Sequence, residues 1–384
     1  MLKKKGILVS TAVSLSLVLA ACGGNDDNNE NDGNNGANEN NGNNANEEVN
    51  NENNDADNEN NTADAGDIDE YHWDFVTEEM QGEVQYEYAA EFANRLEEKS
   101  GGNITMDVWE YGGLGDGVDQ AEQLMMGSTE FGIVSPGFTG TMVEEAQVFA
   151  LHFLFPDDIA LTQEILNDSE ALNVDLREKY EEHGMSPLAY WTEGAMQWTG
   201  NQELRTPDDF DGFQIRVQNS PLINNSYEAY GAEPTAMDWG ELYTGLDQGV
   251  VNGQENPIFF IENAGFHEVQ EHMTVSNHNN YVAMTVVNTD FYNGLPENVQ
   301  ALIDETVEEM RQVGYDLQDE LNEEFLTVID EDTENPTEVY HLSEEEREAF
   351  RELALPVRDF FRDNNGEDAG QILDKLLEEI EAAQ

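Results

Sequence analysis

GVVNGQENPIFFIE, at 249–262, and the strand-like FQIRV upstream, at 213–217, are the stretches around which the chain is organised. Neither contains a nucleophile or a cluster of metal-ligating residues. The first reads as a polar loop with aromatics and offers the amide of Asn256 and the rings of Phe259 and Phe260. In the second, Phe213, Ile215 and Val217 take one face, and Gln214 and Arg216 take the other. An amide, aromatic rings and one guanidinium are equipment for holding a small anion rather than transforming it, so the pattern predicts capture, not catalysis.

The N-terminus predicts where such capture happens. Residues 1–21 carry Lys3, Lys4 and Lys5, then an apolar run, then small residues just before Cys22, the only cysteine of the chain. That is the layout of a secretion signal, and its end matches a bacterial lipobox in which Cys22 is diacylated. The apolar run is shorter than the roughly 20 residues a membrane-spanning helix needs. With Cys22 lipidated, thiol catalysis, Cys-ligated zinc and disulfides are excluded together. Residues 22–70 are almost wholly Asn, Asp, Glu and Gly after the cysteine. Such a segment cannot bury enough to offset the entropy of ordering it. It reads as a tether that would hold residues 71–384 on the order of 40 Å from the membrane.

The chain has 83 acidic and 15 basic residues. Nucleic acid is excluded as a partner, because its binding is driven by basic patches that neutralise phosphates. The excess acid instead fits a solvated surface suited to a salt-loving or alkaline habitat. At about 1 M salt the Debye length falls to roughly 3 Å, so this field need not keep an anion from a local arginine.

Along 71–384, strands and helices alternate. A strand-like stretch at 71–76 precedes a helix at 81–99, whose buried stripe is Val84, Tyr88, Phe92 and Leu96. Strands are predicted around Ile104, Met106 and Val108, at 131–134, 187–191, 273–276, 281–287 and 338–341. Helices are predicted near 119–126, 141–149, 222–230, 238–247 and, unusually long, 297–327. Two more helices are expected after Ser343. Such alternation argues for a parallel or mixed sheet covered by helices. The loops 135–138 and 193–196 follow strand ends, where open α/β sheets place ligands, which makes Phe138 a pocket candidate.

Other motifs carry less. Gly113 to Gly117 lacks the GxGxxG spacing of a dinucleotide loop, no Walker lysine occurs, and no GxSxG elbow is present. His267 and His272 are five residues apart rather than four, off the common face a zinc ion requires, and read as surface histidines. Arg216 has two readings: a salt-bridge partner in a very acidic protein, or the bidentate anchor of a carboxylate. Its company at a strand end, with Asn256 nearby in sequence pattern, favours the anchor. Trp239, at a helix start, can wall a pocket, and Phe259 and Phe260 can equally be core. Glu78 and Glu79 read by composition as two more acids or as charges favourable to a helix dipole.

At these residues the chain resembles a known family. DGFQIRV at 211–217, YGAEPT at 230–235, WGELY at 239–243, GQENP at 253–257 and HEV at 267–269 look like the solute-binding proteins of TRAP transporters, the DctP-type family. The resemblance runs from about Tyr71 to the C-terminus. It implies a two-lobed, periplasmic-binding-protein-like α/β fold with a long lobe-spanning helix, closing over a solute by a hinge. Lobe 1 is expected at about 71–192 and 281–320, and lobe 2 at about 193–280 with the C-terminal helices. By the resemblance Arg216 grips a solute carboxylate and Asn256 assists. SPGFTG at 135–140, Glu193-Gly194, NSPL at 219–222 and NPIF at 256–259 are similar to the ectoine-binding members of halophilic bacteria. That implies Glu79 facing the amidinium of ectoine or hydroxyectoine, with Phe138, Trp239 and Phe259 as an aromatic box. Asn252 and Gln218 depart from the usual aspartate before GQENP and proline after IRV. Met196 stands where many members carry a second arginine, which disfavours dicarboxylates.

The expected partners are a small carboxylate or zwitterionic solute, the TRAP permease subunits driven by an ion gradient, and the membrane through lipid on Cys22, at the outer face of the cytoplasmic membrane. A monomer is expected, with no cofactor and no metal. Two alternatives stay open: a receptor for another organic monocarboxylate, and an extracellular lyase with Glu79 as base.

Overall fold

The computed structural model describes residues 68–384; the signal, Cys22 and the tether as far as residue 67 lie outside the described residues. In chain order the strands are β1 (Tyr71–Val76), β2 (Ile104–Trp109), β3 (Phe131–Val134), β4 (Met185–Ala195), β5 (Gln197–Gly200), β6 (Gln214–Val217), β7 (Glu233–Ala236), β8 (Gly253–Asn256), β9 (His272–Val275), β10 (Asn280–Asn288) and β11 (Glu338–His341). The α-helices are α1 (Val84–Lys99), α2 (Gly117–Met126), α3 (Pro136–Thr139), α4 (Ile159–Asp168), α5 (Arg177–Glu182), α6 (Pro221–Glu228), α7 (Trp239–Asp247), α8 (Ile258–Asn263), α9 (Thr289–Gly294), α10 (Glu297–Glu331), α11 (Glu344–Ala354), α12 (Val357–Asn364) and α13 (Gly366–Ala383).

These strands form two mixed sheets. The first runs β2-β1-β3-β10-β4 and the second β11-β9-β5-β8-β6-β7. β1 lies parallel to β2 and β3, while β10 runs antiparallel to β3 and β4. In the second sheet β6 is parallel to β7 and β8, and β5 is antiparallel to β8 and β9. The α/β class and the two lobes expected from the sequence are therefore present.

Packing follows the patterns. The stripe Val84, Tyr88, Phe92 and Leu96 of α1 is buried with Phe75, Phe131 and Trp191, and with Ile303, Val307 and Met310 of α10. Tyr88 stacks on Trp191 with ring centroids 4.7 Å apart. The other face of the first sheet shares a core with Phe213, Ile215 and Val217 of the second lobe and with Phe350, Phe361 and Leu373 of the last helices. A third cluster, including Leu242, Ile261 and Ile329, fills the outer side of the second sheet. Three paths cross between the sheets. β4 passes to β5 through Met196 alone, β9 passes to β10 through residues 276–279, and α10 packs on β4 near its middle and on α8 toward its end. At 1.5 Å per residue α10 is about 50 Å long, enough to span both lobes.

Several local expectations change. GQEN is not a loop but β8, paired to β5 on one side and β6 on the other. β4 continues through Glu193 to Ala195 instead of ending at Trp191, and Phe138 stands in the single turn of α3. The stretch around 144–150 is a 3-10 helix. Three helices rather than two follow Ser343. The last of them, α13, packs on α4 and on the 144–150 turn, so it does not belong to the second sheet alone. His267 is buried rather than a surface residue, its Nδ1 3.4 Å from the Ile261 carbonyl.

Candidate functional site

Arg216 occupies the third position of β6 and is only 4% exposed. Its Nε donates to the Met237 carbonyl at 2.9 Å, and its guanidinium carbon lies 5.9 Å from the centre of the Trp239 ring. No carboxylate among the described residues lies within salt-bridge distance of it. Of the twelve lysines and arginines among the described residues, only Arg216 and Arg358 lack such a partner. Burial lowers the Arg216 pKa to about 10, against the opposing pull of Tyr281, Glu255 and Asp238. It remains charged at neutral pH, and neither terminal nitrogen donates to a protein acceptor among the described residues.

β8 brings Asn256 onto the same sheet. Its Nδ2 donates to the Gln254 side chain, which in turn donates to Thr199 Oγ1 at 3.1 Å. The strand is polar yet buried because every side chain has a specific partner. Glu255 accepts from the Tyr227 hydroxyl at 2.5 Å and bonds His278 Nε2 at 2.7 Å. Gly253 provides the close approach, since a Cβ there would stand 2.2 Å from the Thr199 carbonyl oxygen.

Across the cleft, Glu79 follows β1. It is 1% exposed, and Oε2 accepts from the Gln85 backbone amide at 2.6 Å while Oε1 has no donor. Burial, then the neighbouring Glu193 and Glu83, push its pKa well above the usual carboxylate range. Glu78, read from composition as ordinary, is equally buried. Its Oε1 accepts from the Ser135 amide at 2.9 Å, and burial raises its pKa to about 8. Glu193 joins them from the end of β4, held by Gln85 Nε2 at 2.8 Å and raised to about 7 by burial. Sequence reasoning missed Glu78 and Glu193 as a group with Glu79. The available signal was position, since both flank strand ends of the first sheet.

Each of the three rings packs against neighbours of its own. Phe138 faces Gly117, where a Cβ would come within 2.9 Å of its ring. Trp239 sits edge-on to Phe260 and Phe266, each at 5.2 Å. Phe259 is fully buried against Phe260, 4.2 Å away. A cavity of about 40 Å³ lies between the lobes, with Ser135 and Gly137 on one side and Gln218, Ser220 and Glu255 on the other, floored by Tyr281 and Met196. That is room for water rather than for a solute, and none of the six residues expected from the sequence lines it. The lobes meet around it: a Cβ on Gly137 would clash with the Gln218 side chain, and one on Gly240 would stand 4.0 Å from the Tyr111 hydroxyl.

The sequence also gave no sign of a buried group formed by His152, Glu255 and His278. His152 Nδ1 bonds the Tyr230 hydroxyl at 2.9 Å, and Ser276 Oγ bonds His278 Nδ1 at 2.7 Å. Burial lowers the pKa of His152 to about 3 and that of His278 well below its ordinary value, so both are neutral. With Glu255 already bonded by Tyr227 and His278, the group works as a hydrogen-bond network that fixes β8 behind Asn256.

Known proteins share much of this chain's sequence and fold. The chain is 35% identical over 313 residues to the ectoine-binding periplasmic protein TeaA of Halomonas elongata, covering 82% of this chain and 91% of that protein. It is 33% identical over 318 residues to the ectoine/5-hydroxyectoine-binding periplasmic protein UehA of Ruegeria pomeroyi, covering 81% and 91%. The solved structure of the Halomonas elongata ectoine-binding protein, from the TeaABC TRAP transporter, superposes with a TM-score of 0.77 at 34% identity over 81% of this chain and 99% of that one. Residues 75–364 match the DctP model, described as bacterial extracellular solute-binding protein, family 7, and the chain belongs to that family.

Proposed function

We propose that the chain is the extracytoplasmic receptor of a TRAP transporter, capturing ectoine or hydroxyectoine and delivering it to an ion-gradient-driven permease. The observation that carries the choice of solute is Arg216, a buried arginine without a carboxylate partner in a protein with a net charge of −68. A buried charge is stable only when paired, and a solute carboxylate supplies the missing partner through a two-pronged contact. The carboxyl group of Glu79, with Glu78 and Glu193 beside it, favours a solute that also carries a positive end. The names of the two relatives support the same solute class.

In this proposal Arg216 and Asn256 hold the carboxylate from the second lobe, while Glu79 and Phe138 meet the cation from the first. Trp239 and Phe259 complete the pocket as the lobes adjust around the solute, and contacts to both lobes favour closure. The solute is bound and released unchanged. Lipid on Cys22 and the acidic tether keep the receptor, a monomer, at the outer face of the membrane, and the acidic surface suits a salt-rich habitat.

Calorimetry at about 1 M salt against ectoine, hydroxyectoine, betaine and a panel of mono- and dicarboxylates tests the solute. Saturable binding of the zwitterions with the ligand recovered intact is expected; binding of a dicarboxylate alone would overturn the proposal. Fatty-acid labelling of the cells should mark the wild type and not Cys22→Ser.

A further inference from the structure

Glu78, Glu79, Glu83 and Glu193 form a carboxyl cluster with an unusual balance of partners. Each accepts one donor: Ser135 N for Glu78 at 2.9 Å, Gln85 N for Glu79 at 2.6 Å, Met80 N for Glu83 at 2.7 Å and Gln85 Nε2 for Glu193 at 2.8 Å. No lysine, arginine or histidine among the described residues forms a salt bridge with any of them. One oxygen each of Glu78, Glu79 and Glu193 has no donor. The same is true of the Ser135 hydroxyl, on a residue 2% exposed that lines the cavity between the lobes.

The other titratable groups facing the cluster are phenols. Tyr281 of β10 is close enough to interact with Glu78, Glu193 and Glu79, and Tyr180 of α5 interacts with Glu78. Burial keeps both protonated, so neither supplies positive charge. Four carboxylates without a cation cannot all be ionised in so dry a place. The empty site meets this by retaining protons, with Glu78 raised to about 8, Glu83 and Glu193 to about 7, and Glu79 well above the ordinary value.

We propose that capture of the solute is coupled to proton release: the empty receptor holds protons on this cluster, and entry of the positive end of the solute expels one to solvent. The O–H bond of one carboxylic acid breaks, its proton passes to water or buffer, and the resulting carboxylate pairs with the cation. No electrons are transferred, and one positive charge leaves as another enters. The inference rests on the zwitterionic reading of the solute and adds its linkage to pH. A cation bound to the cluster lowers the carboxyl pKa values. Affinity therefore rises with pH, by up to about tenfold per unit for one proton released, and levels off above the values of the empty cluster.

Calorimetric titration of the full chain with ectoine at pH 7, in phosphate, HEPES and Tris, reads the proton count directly. The observed enthalpy should vary linearly with the ionisation enthalpy of the buffer, with a slope of about one proton released, and that slope should shrink as rising pH ionises the empty cluster. Glu193→Gln should reduce the slope at pH 7. Tight binding with an enthalpy independent of buffer would overturn proton release and leave the receptor proposal standing. Failure to bind any zwitterion, with capture of a monocarboxylate instead, would overturn both.

Discussion

Arg216 Nε donates to the Met237 carbonyl at 2.9 Å, a bond that uses the inner edge of the guanidinium and leaves its two terminal nitrogens without acceptors among the described residues. The backbone just before α7 thus fixes the orientation of the fork. Removing the fork separates binding from stability. Arg216→Ala should weaken solute binding by about 2–5 kcal/mol, the usual cost of stripping one partner from a buried charge pair. The melting temperature of the empty protein should hold or rise, because the Met237 bond and distant charges only partly offset the desolvation of an arginine with no paired carboxylate. Calorimetry paired with thermal melts checks both halves.

Asn322 of α10 is tied to both lobes. Its Nδ2 donates to the Glu193 carbonyl at 2.9 Å, and its Oδ1 accepts from the Phe259 amide at 3.2 Å. Asn322→Ala leaves those backbone groups to find other partners, at about 1–3 kcal/mol. Urea unfolding should show that loss, and small-angle scattering should show a wider spread of lobe arrangements.

Gly253 opens the GQENP motif for a steric reason. Gly253→Ala would drive a methyl group into the Thr199 carbonyl oxygen and the Phe213 ring, backbone and core that cannot move cheaply. A loss of about 1–3 kcal/mol is expected, together with weaker solute binding as Asn256 shifts. Gly249→Ala is the control: it has a φ of +65° but nothing within 4 Å, so it meets only backbone strain.

The empty protein should lose stability as pH rises from 6.5 to 8. Carboxyls raised above their ordinary value of 4.5, with Glu78 at about 8 and Glu83 and Glu193 at about 7, add stability that is complete at low pH and is lost as pH climbs through those values. The depressed His152 and His278 act in the opposite sense, losing their contribution as pH falls below 6.5, so above that point the carboxyls act alone. A slope of roughly 1 kcal/mol per pH unit per proton is expected in high salt. Glu78→Gln combined with Glu193→Gln should reduce it, leaving the part that Glu79 and Glu83 contribute, as melts across the range will show.

What the sequence revealed depended on how a segment is buried. α1 and α10 were legible because one face of each meets a sheet, which writes a helical period into the apolar residues. β6 was legible for the analogous reason, with Ile215 inward and Gln214 outward. β8 was not, because its four residues are buried as polar groups with designated partners and leave no hydrophobic alternation. The end of β4 was hidden by Glu193 and Gly194, which look like turn residues, although Gly194 pairs with Tyr281 of β10 and Glu193 stands at the register shift beside it. Arg216 could be picked out because basic residues are rare in this composition, and Asn256 because it stands in the GQENP motif beside aromatic residues. Glu78 and Glu193 stood out only by position at strand ends, since among 83 acids residue type alone does not mark the few that leave water.

Met196 alone separates β4 from β5, and Glu193 stands three residues before that joint. A connection so short has no slack, so it serves as a pivot of fixed radius, and each charged group travels a set arc as the lobes swing. On the proposed reading the receptor is then a caliper: it gauges the distance between the opposite charges of its solute, and a zwitterion one methylene too long is turned away by length although both of its ends are chemically acceptable.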